Sequence, residues 1–127
     1  MILSHVSNKI LGAQGERLAQ QYLQAQGYKI LEVNFRNKLG EIDLVAQHDK
    51  TICFIEVKTR QSLIQGQPYE AVNSWKMRKL SQMAMAYLKY KFRSLDIMSR
   101  FDVISILQPK EGPPEIQHIK NAFDATY

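Results

Sequence analysis

Two connections too short for anything but tight turns constrain this chain most. A turn around Asn37-Lys38-Leu39-Gly40 and a link of His48-Asp49-Lys50 join three extended segments in immediate succession: Lys29 to Phe35, Gly40 to Gln47 and Thr51 to Lys58. Apolar and β-branched runs punctuated by Gly, Asn and Asp read as strands, and the second connection is typical of a hairpin.

Helices are expected on either side of this block. A helix spans about Asn8 to Gln26, with Gly27 as a natural C′ residue and an apolar stripe of Leu11, Leu18, Ala19, Tyr22 and Leu23. Gly12 and Gly15 lie inside it, each at a cost of about 1 kcal/mol relative to Ala, and close approach of another backbone would explain them. A second helix starts from a cap at Asn73 or Ser74 and runs to about Phe92, burying Met77, Leu80, Met83, Ala84, Tyr87 and Leu88. Arg100 to Leu107 and Glu115 to Ile119 complete the strands. Residues 1–7 are expected to be loosely ordered, Gln61 to Gln67 and Pro109 to Pro114 are loops, and Pro68 opens a short turn. The order α-β-β-β-α-β-β specifies an α/β fold with a central mixed sheet flanked by helices, and 127 residues suit one domain.

The net charge is +5 and it is concentrated. Between Asn73 and Arg93 stand Lys76, Arg78, Lys79, Lys89, Lys91 and Arg93 with no acidic residue, while the rest of the chain is close to neutral. One-sided positive charge attracts polyanions by steering and counterion release. Cys53 has no second cysteine to pair with and reads as a buried thiol of a reducing compartment. No apolar run approaches the ~18 residues of a membrane span, and Met1-Ile2-Leu3 gives way at once to polar residues rather than to a signal-peptide core. The expected location is the cytoplasm, with no membrane association.

Alternation of side chains along the second and third strands places their charges. Asp43 falls on one face with Glu41 and Val45. Glu56 and Lys58 share a face with Ile52 and Phe54, while Cys53, Ile55 and Val57 face the other way. Carboxylates at the end of apolar strands need partners. Two carboxylates and an amine converging on one point suit Mg²⁺ or Mn²⁺, hard cations that take oxygen ligands and keep several waters. The backbone carbonyl of Val57 is a candidate third protein ligand beside Asp43 and Glu56. Lys58 would orient a metal-bound water or stabilise charge on a phosphorane. Glu16 lies at the margin of the first helix's stripe, placed either for a water-mediated metal contact or for a surface ion pair.

On the second helix, Arg78, Lys79, Lys89 and Arg93 form an outer basic face suited to holding phosphates without reading sequence. Lys76, in the first turn near the apolar stripe, either snorkels along the core edge or points at Glu56 and Lys58 with a phosphate-contacting role. Trp75 faces outward, to stack on a base or to cover a loop. Thr59 and Arg60 follow the third strand directly, in reach of backbone phosphates. The histidines His5, His48 and His118 show no ligand spacing, and there is no Walker-type loop, zinc pattern or Ser-His-Asp grouping.

The segments Gly12-x-x-Gly15-Glu16, Gly40-Glu41-Ile42-Asp43-Leu44-Val45 and Phe54-Ile55-Glu56-Val57-Lys58-Thr59-Arg60, with Ala71-Val72 and Asn121-Ala122-Phe123, resemble the YraN-like family of small bacterial proteins. That family belongs to the restriction-endonuclease-like, PD-(D/E)xK superfamily and is similar in layout to archaeal Holliday-junction resolvases. The resemblance covers roughly Gly12 to Ala122. It implies a restriction-endonuclease-like fold, Asp43 and Glu56 as metal ligands, Lys58 as the catalytic lysine and Glu16 at the place of the resolvases' first-helix glutamate. Ile42 stands where the superfamily motif has Pro.

The expected function is a Mg²⁺- or Mn²⁺-dependent nuclease that hydrolyses phosphodiester bonds in DNA, branched or otherwise structured. A symmetric homodimer would suit cleavage of both strands of a junction. The alternatives are a non-catalytic nucleic-acid-binding module of the same fold, and a structural or partner-binding protein in which Asp43, Glu56 and Lys58 form a buried ion network.

Overall fold

The computed structural model describes residues 8–62 and 73–126. The expected loose N-terminus, most of the loop after Gln61, the turn at Pro68 and the Ala71-Val72 pair lie outside the described residues.

Helix α1, Asn8–Ala25, buries Leu11, Gly15, Ala19 and Leu23, one residue per turn. Gly27 ends it at φ 91°, and the N–H of Tyr28 donates to the carbonyl of Leu23 at 2.9 Å, so the chain turns sharply into the first strand. Strands β1 (Lys29–Asn37), β2 (Gly40–His48) and β3 (Thr51–Arg60) form an antiparallel meander through two-residue turns, with Asn37 opposite Gly40 and His48 opposite Thr51. Helix α2, Ser74–Phe92, is capped by Asn73, whose side chain accepts from the Lys76 N–H at 2.9 Å. Strand β4 (Ser99–Leu107) pairs parallel to β3, and β5 (Glu115–Phe123) returns antiparallel along β4. The mixed sheet has the order β1-β2-β3-β4-β5.

The two helices cover opposite faces of the sheet. Ile42, Val45, Ile52, Phe54 and Phe101 pack with Leu80, Met83, Ala84, Tyr87 and Leu88 of α2. Leu44, Ala46, Cys53, Ile55, Ile104 and Ile106 pack with Ala19 and Leu23 of α1. The parallel central pair β3–β4 is apolar on both faces because both are covered. Among the described residues, no helix is long and apolar enough to cross a membrane.

Strict alternation fails at one place. Ile42 and Val45 lie under α2, whereas Leu44 lies under α1. The break in alternation falls at Asp43, whose carboxylate turns along the sheet toward β3 and accepts the Val57 N–H. The neighbouring strand is irregular at the same level, where Asn34, between the pairs Val33↔Leu44 and Phe35↔Ile42, takes φ 54°. The β2–β3 ladder begins at His48↔Thr51 and stops at Leu44↔Ile55. Beyond that pair β2 leaves β3, and the sheet splits.

Strand β5 is longer than expected, reaching Phe123 rather than Ile119. Its last part is held by Asp102, whose Oδ1 accepts the Asn121 N–H at 2.9 Å where the ladder register shifts and Asn121 takes φ 53°. A bulge satisfied by a side chain from another strand carries no local sequence signal.

Candidate active site

The split between β2 and β3 opens a cleft of about 730 Å³ lined by Glu16 and Gly12 of α1, Asp43 of β2, and Glu56, Lys58 and Arg60 of β3. In a continued antiparallel ladder, the pair after Leu44↔Ile55 that exchanges hydrogen bonds would be Ile42↔Val57. Instead the Val57 N–H donates to Oδ2 of Asp43 at 2.8 Å. The carboxylate of Asp43 occupies the place of a backbone carbonyl, and the Val57 carbonyl, on the same side of its strand as the N–H, faces the same gap.

The acidic groups come from three elements. Carboxylate oxygens of Glu16, Glu41 and Asp43 all lie within 4.8 Å of one another. The Asn34 amide nitrogen, turned toward them, is placed to donate to Glu16 Oε1 at 3.1 Å and Glu41 Oε1 at 2.7 Å, and Arg36 Nε donates to Glu41 Oε2 at 3.0 Å. Burial pushes Asp43 up to about 7; the nearby Glu56 carboxylate adds to this, and the Val57 N–H opposes it. Glu16 is also raised, by burial against the lowering effect of its Asn34 bond. The site carries more carboxylate than the surrounding protein neutralises.

Glu56 is buried, and its Oε1 is held by two ammonium groups. Lys58 lies 3.3 Å from it and Lys76 of α2 hydrogen-bonds it directly. Lys76 therefore points inward to the sheet, the second of the two orientations its position in the helix allowed. Burial and the adjacent Lys76 lower the pKa of Lys58, with Glu56 opposing. For Lys76 burial is the largest influence and disfavours charge, but the bond to and charge of Glu56, together with Lys58 and Asp43, outweigh it and the pKa rises.

Thr59 and Arg60 line the cleft wall. Thr59 packs so closely on α1 that a Cβ at Gly15 would stand 1.9 Å from its Oγ1, which accounts for that glycine. Gly12 has nothing within 4 Å of such a Cβ, so close approach does not account for it. Arg60 donates from Nη1 to the Thr59 carbonyl at 3.2 Å, and its buried Nε has no partner among the described residues. Arg78, Lys89 and Arg93 are exposed on α2, and the Lys79 ammonium sits 5.5 Å from the ring centre of Trp75, itself 68 % exposed.

Sequence reasoning brought Asp43, Glu56, Lys58 and Glu16 to one place and the structure lines one cleft with them. Glu41 and Asn34 were missed as site residues. The two-residue spacing of Glu41 from Asp43 was a usable signal; Asn34 had none, because its role depends on the irregular backbone of β1.

The profile of the uncharacterised protein family UPF0102 matches residues 15–106, the span from Gly15 of α1 to Ile106 of β4. This chain belongs to the UPF0102 family. It is 52 % identical over 120 residues to a UPF0102 protein of Geobacter metallireducens, covering 94 % of this chain and 97 % of the relative. It is 48 % identical over 120 residues to one of Geotalea uraniireducens, 94 % of each chain. A UPF0102 protein of Syntrophomonas wolfei is 50 % identical over 116 residues, 91 % of this chain and 99 % of that one. The match to UPF0102 agrees with the YraN-like resemblance carried by the three segments around Glu16, Asp43 and Glu56.

Proposed function

We propose that this protein is a divalent-metal-dependent nuclease of the PD-(D/E)xK type that hydrolyses phosphodiester bonds in structured or branched DNA. The observation that carries this reading is the split of the sheet at Asp43, which exposes Asp43, Glu56, Lys58 and the Val57 backbone to one cleft. A hairpin of apolar strands has no packing reason to open there.

The donor set fits a hard cation. It consists of carboxylate and carbonyl oxygens, with no thiolate or imidazole, as Mg²⁺ or Mn²⁺ requires. Asp43, Glu56 and the Val57 carbonyl would hold the ion, with Glu16 and Glu41 beside it. Such an ion lowers the pKa of a bound water and polarises a phosphoryl oxygen.

The chain's own groups supply the remaining parts. The Val57 N–H fixes the Asp43 carboxylate, so its free oxygen Oδ1 is pre-aimed. Lys58, partly buried beside Glu56, would supply an ammonium to the negative charge that builds on the phosphorane. Thr59 and Arg60 lie on the wall of the same cleft, where the backbone of a bound nucleic acid would pass. Arg78 and Lys79 extend the positive surface outward along α2 toward a polyanion.

The test is incubation of the full-length protein with a four-way junction, a flap and a linear duplex in Mg²⁺ or Mn²⁺. Cleavage of a branched substrate is expected, abolished in Asp43→Ala and Glu56→Ala and reduced at least about a hundredfold in Lys58→Met. One observation favours a second reading, a non-catalytic nucleic-acid binder: both Lys58 and Lys76 already neutralise Glu56. Salt-sensitive binding to these DNAs without metal-dependent cleavage of any of them is the result that reading expects.

A further inference from the structure

We propose that Lys76 is a resident counter-ion that competes with the metal for Glu56, so that loading the site displaces its ammonium from the carboxylate. This rests on the metal site of the preceding reading and names the residue that sets its affinity.

Three observations lead there. First, Glu56 is only 6 % exposed, and both ammonium contacts fall on a single oxygen, Oε1. A dication drawing on that oxygen meets two positive charges already in place, and close like charges in a half-buried site repel strongly. Second, the two lysines are not equivalent. Lys58 extends from β3, flanked by Val57 and Thr59, and its side chain is 19 % exposed; that of Lys76 is 30 % exposed. Lys76 also belongs to a different element, reaching the sheet from the first turn of α2. Third, its backbone is pinned independently of its side chain: the Lys76 N–H is held by Asn73 Oδ1 at 2.9 Å, and the Met77 N–H by the Asn73 carbonyl at 2.9 Å. Displacement then needs only rotations of a four-carbon stem, with the helix left in place.

The consequence is a Glu56 carboxylate that stays paired without metal, in a site that binds metal more weakly than its ligands alone would dictate. Isothermal titration with MnCl₂ of the full chain tests it on wild type, Lys76→Met and Lys76→Gln, with Lys91→Met, in the exposed last turn of α2, as the control for net charge. Lys76→Met and Lys76→Gln are expected to bind Mn²⁺ at least about tenfold more tightly than wild type and than Lys91→Met, since removing a close charged competitor is worth that factor. Binding by both Lys76 variants that equals or falls below wild type overturns the proposal and leaves the metal site standing. Absence of Mn²⁺ binding in all four proteins removes the metal site itself, and this inference with it. Circular dichroism of each variant confirms that it folds, and Lys76→Gln, which keeps a polar side chain at this position, carries the test should Lys76→Met prove too unstable.

Discussion

The carboxylate of Asp43 accepts the backbone N–H of Val57 at 2.8 Å, in the place where an uninterrupted β2–β3 ladder would put the carbonyl of Ile42. One side chain ends the strand pairing, satisfies the donor left over and holds itself at the mouth of the cleft. The strand break and the candidate ligand are one feature.

Asp43 is the group that resists ionisation, pushed up to about 7 by burial and then by Glu56. A carboxyl whose folded pKa lies above its unfolded value gives stability that is full below about pH 4 and is lost as pH rises through about 7. In metal-free protein, Asp43→Asn removes that loss. Its melting temperature should exceed wild type at pH 8 and the gap should shrink at pH 5. Equal gaps at the two pH values, measured by differential scanning fluorimetry with chelator present, would contradict the crowding of carboxylates in the cleft.

The two helical glycines should behave oppositely. At Gly15 an added methyl meets Oγ1, Cβ and Cγ2 of Thr59, so Gly15→Ala should destabilise by about 1–3 kcal/mol as α1 is pushed off β3. At Gly12 there is open space, and Gly12→Ala should stabilise by up to about 1 kcal/mol through helix propensity. Urea melts of both variants measure the two signs.

On β4, opposite Ile55 of β3, Asp102 is another buried carboxylate, and its partners are complete. Arg100 Nε donates at 3.0 Å to Oδ1 and 3.2 Å to Oδ2, His118 Nε2 lies 2.7 Å from Oδ2, and the Asn121 N–H binds Oδ1. Burial alone would raise its pKa, but the His118, Arg100 and Asn121 bonds outweigh burial and hold it below the usual carboxylate value. That stability is present above about pH 4 and is lost as pH falls through the lower folded pKa. Asp102→Ala should cost about 3–5 kcal/mol by stranding Arg100 and His118, and Asp102→Asn should flatten the acid limb of the stability curve. Chemical denaturation between about pH 2.5 and 7 checks both.

If the outer face of α2 holds phosphates, Arg78→Ala combined with Lys79→Ala should weaken DNA binding to the same degree for unrelated sequences. The slope of log K against log salt should become shallower by about 0.9 for each duplex phosphate that the variant no longer neutralises. Fluorescence anisotropy over a salt series reads the slope, and an unchanged slope would remove α2 from the interface.

Much of the fold was legible because its signals are local. The turns at Lys38-Leu39 and Asp49-Lys50, the Gly27 stop, the Asn73 cap and the apolar stripes of α1 and α2 each sit within a few residues of what they specify. Alternation put Glu56 and Lys58 on one face with Ile52 and Phe54, the face that α2 covers and from which Lys76 reaches Glu56. It failed at Asp43, where the face changes between Ile42 and Leu44, because that change depends on Asn34 of another strand and on a ladder that ends. The tie between Asp102 and His118 was hidden for the same reason: it depends on the register of β5 against β4, and neither residue has a nearby sequence partner. Glu41 lay in plain view two residues from Asp43, but only the cleft shows that Glu16 joins them.

The most direct test of the metal site at the β2–β3 split is calorimetric titration of Mn²⁺ into wild type and Asp43→Ala. Saturable binding to wild type that is absent in the variant is the predicted result, with the fold of both intact by circular dichroism. Equal binding by the two proteins would contradict it, because the ion would then sit somewhere other than the split between β2 and β3.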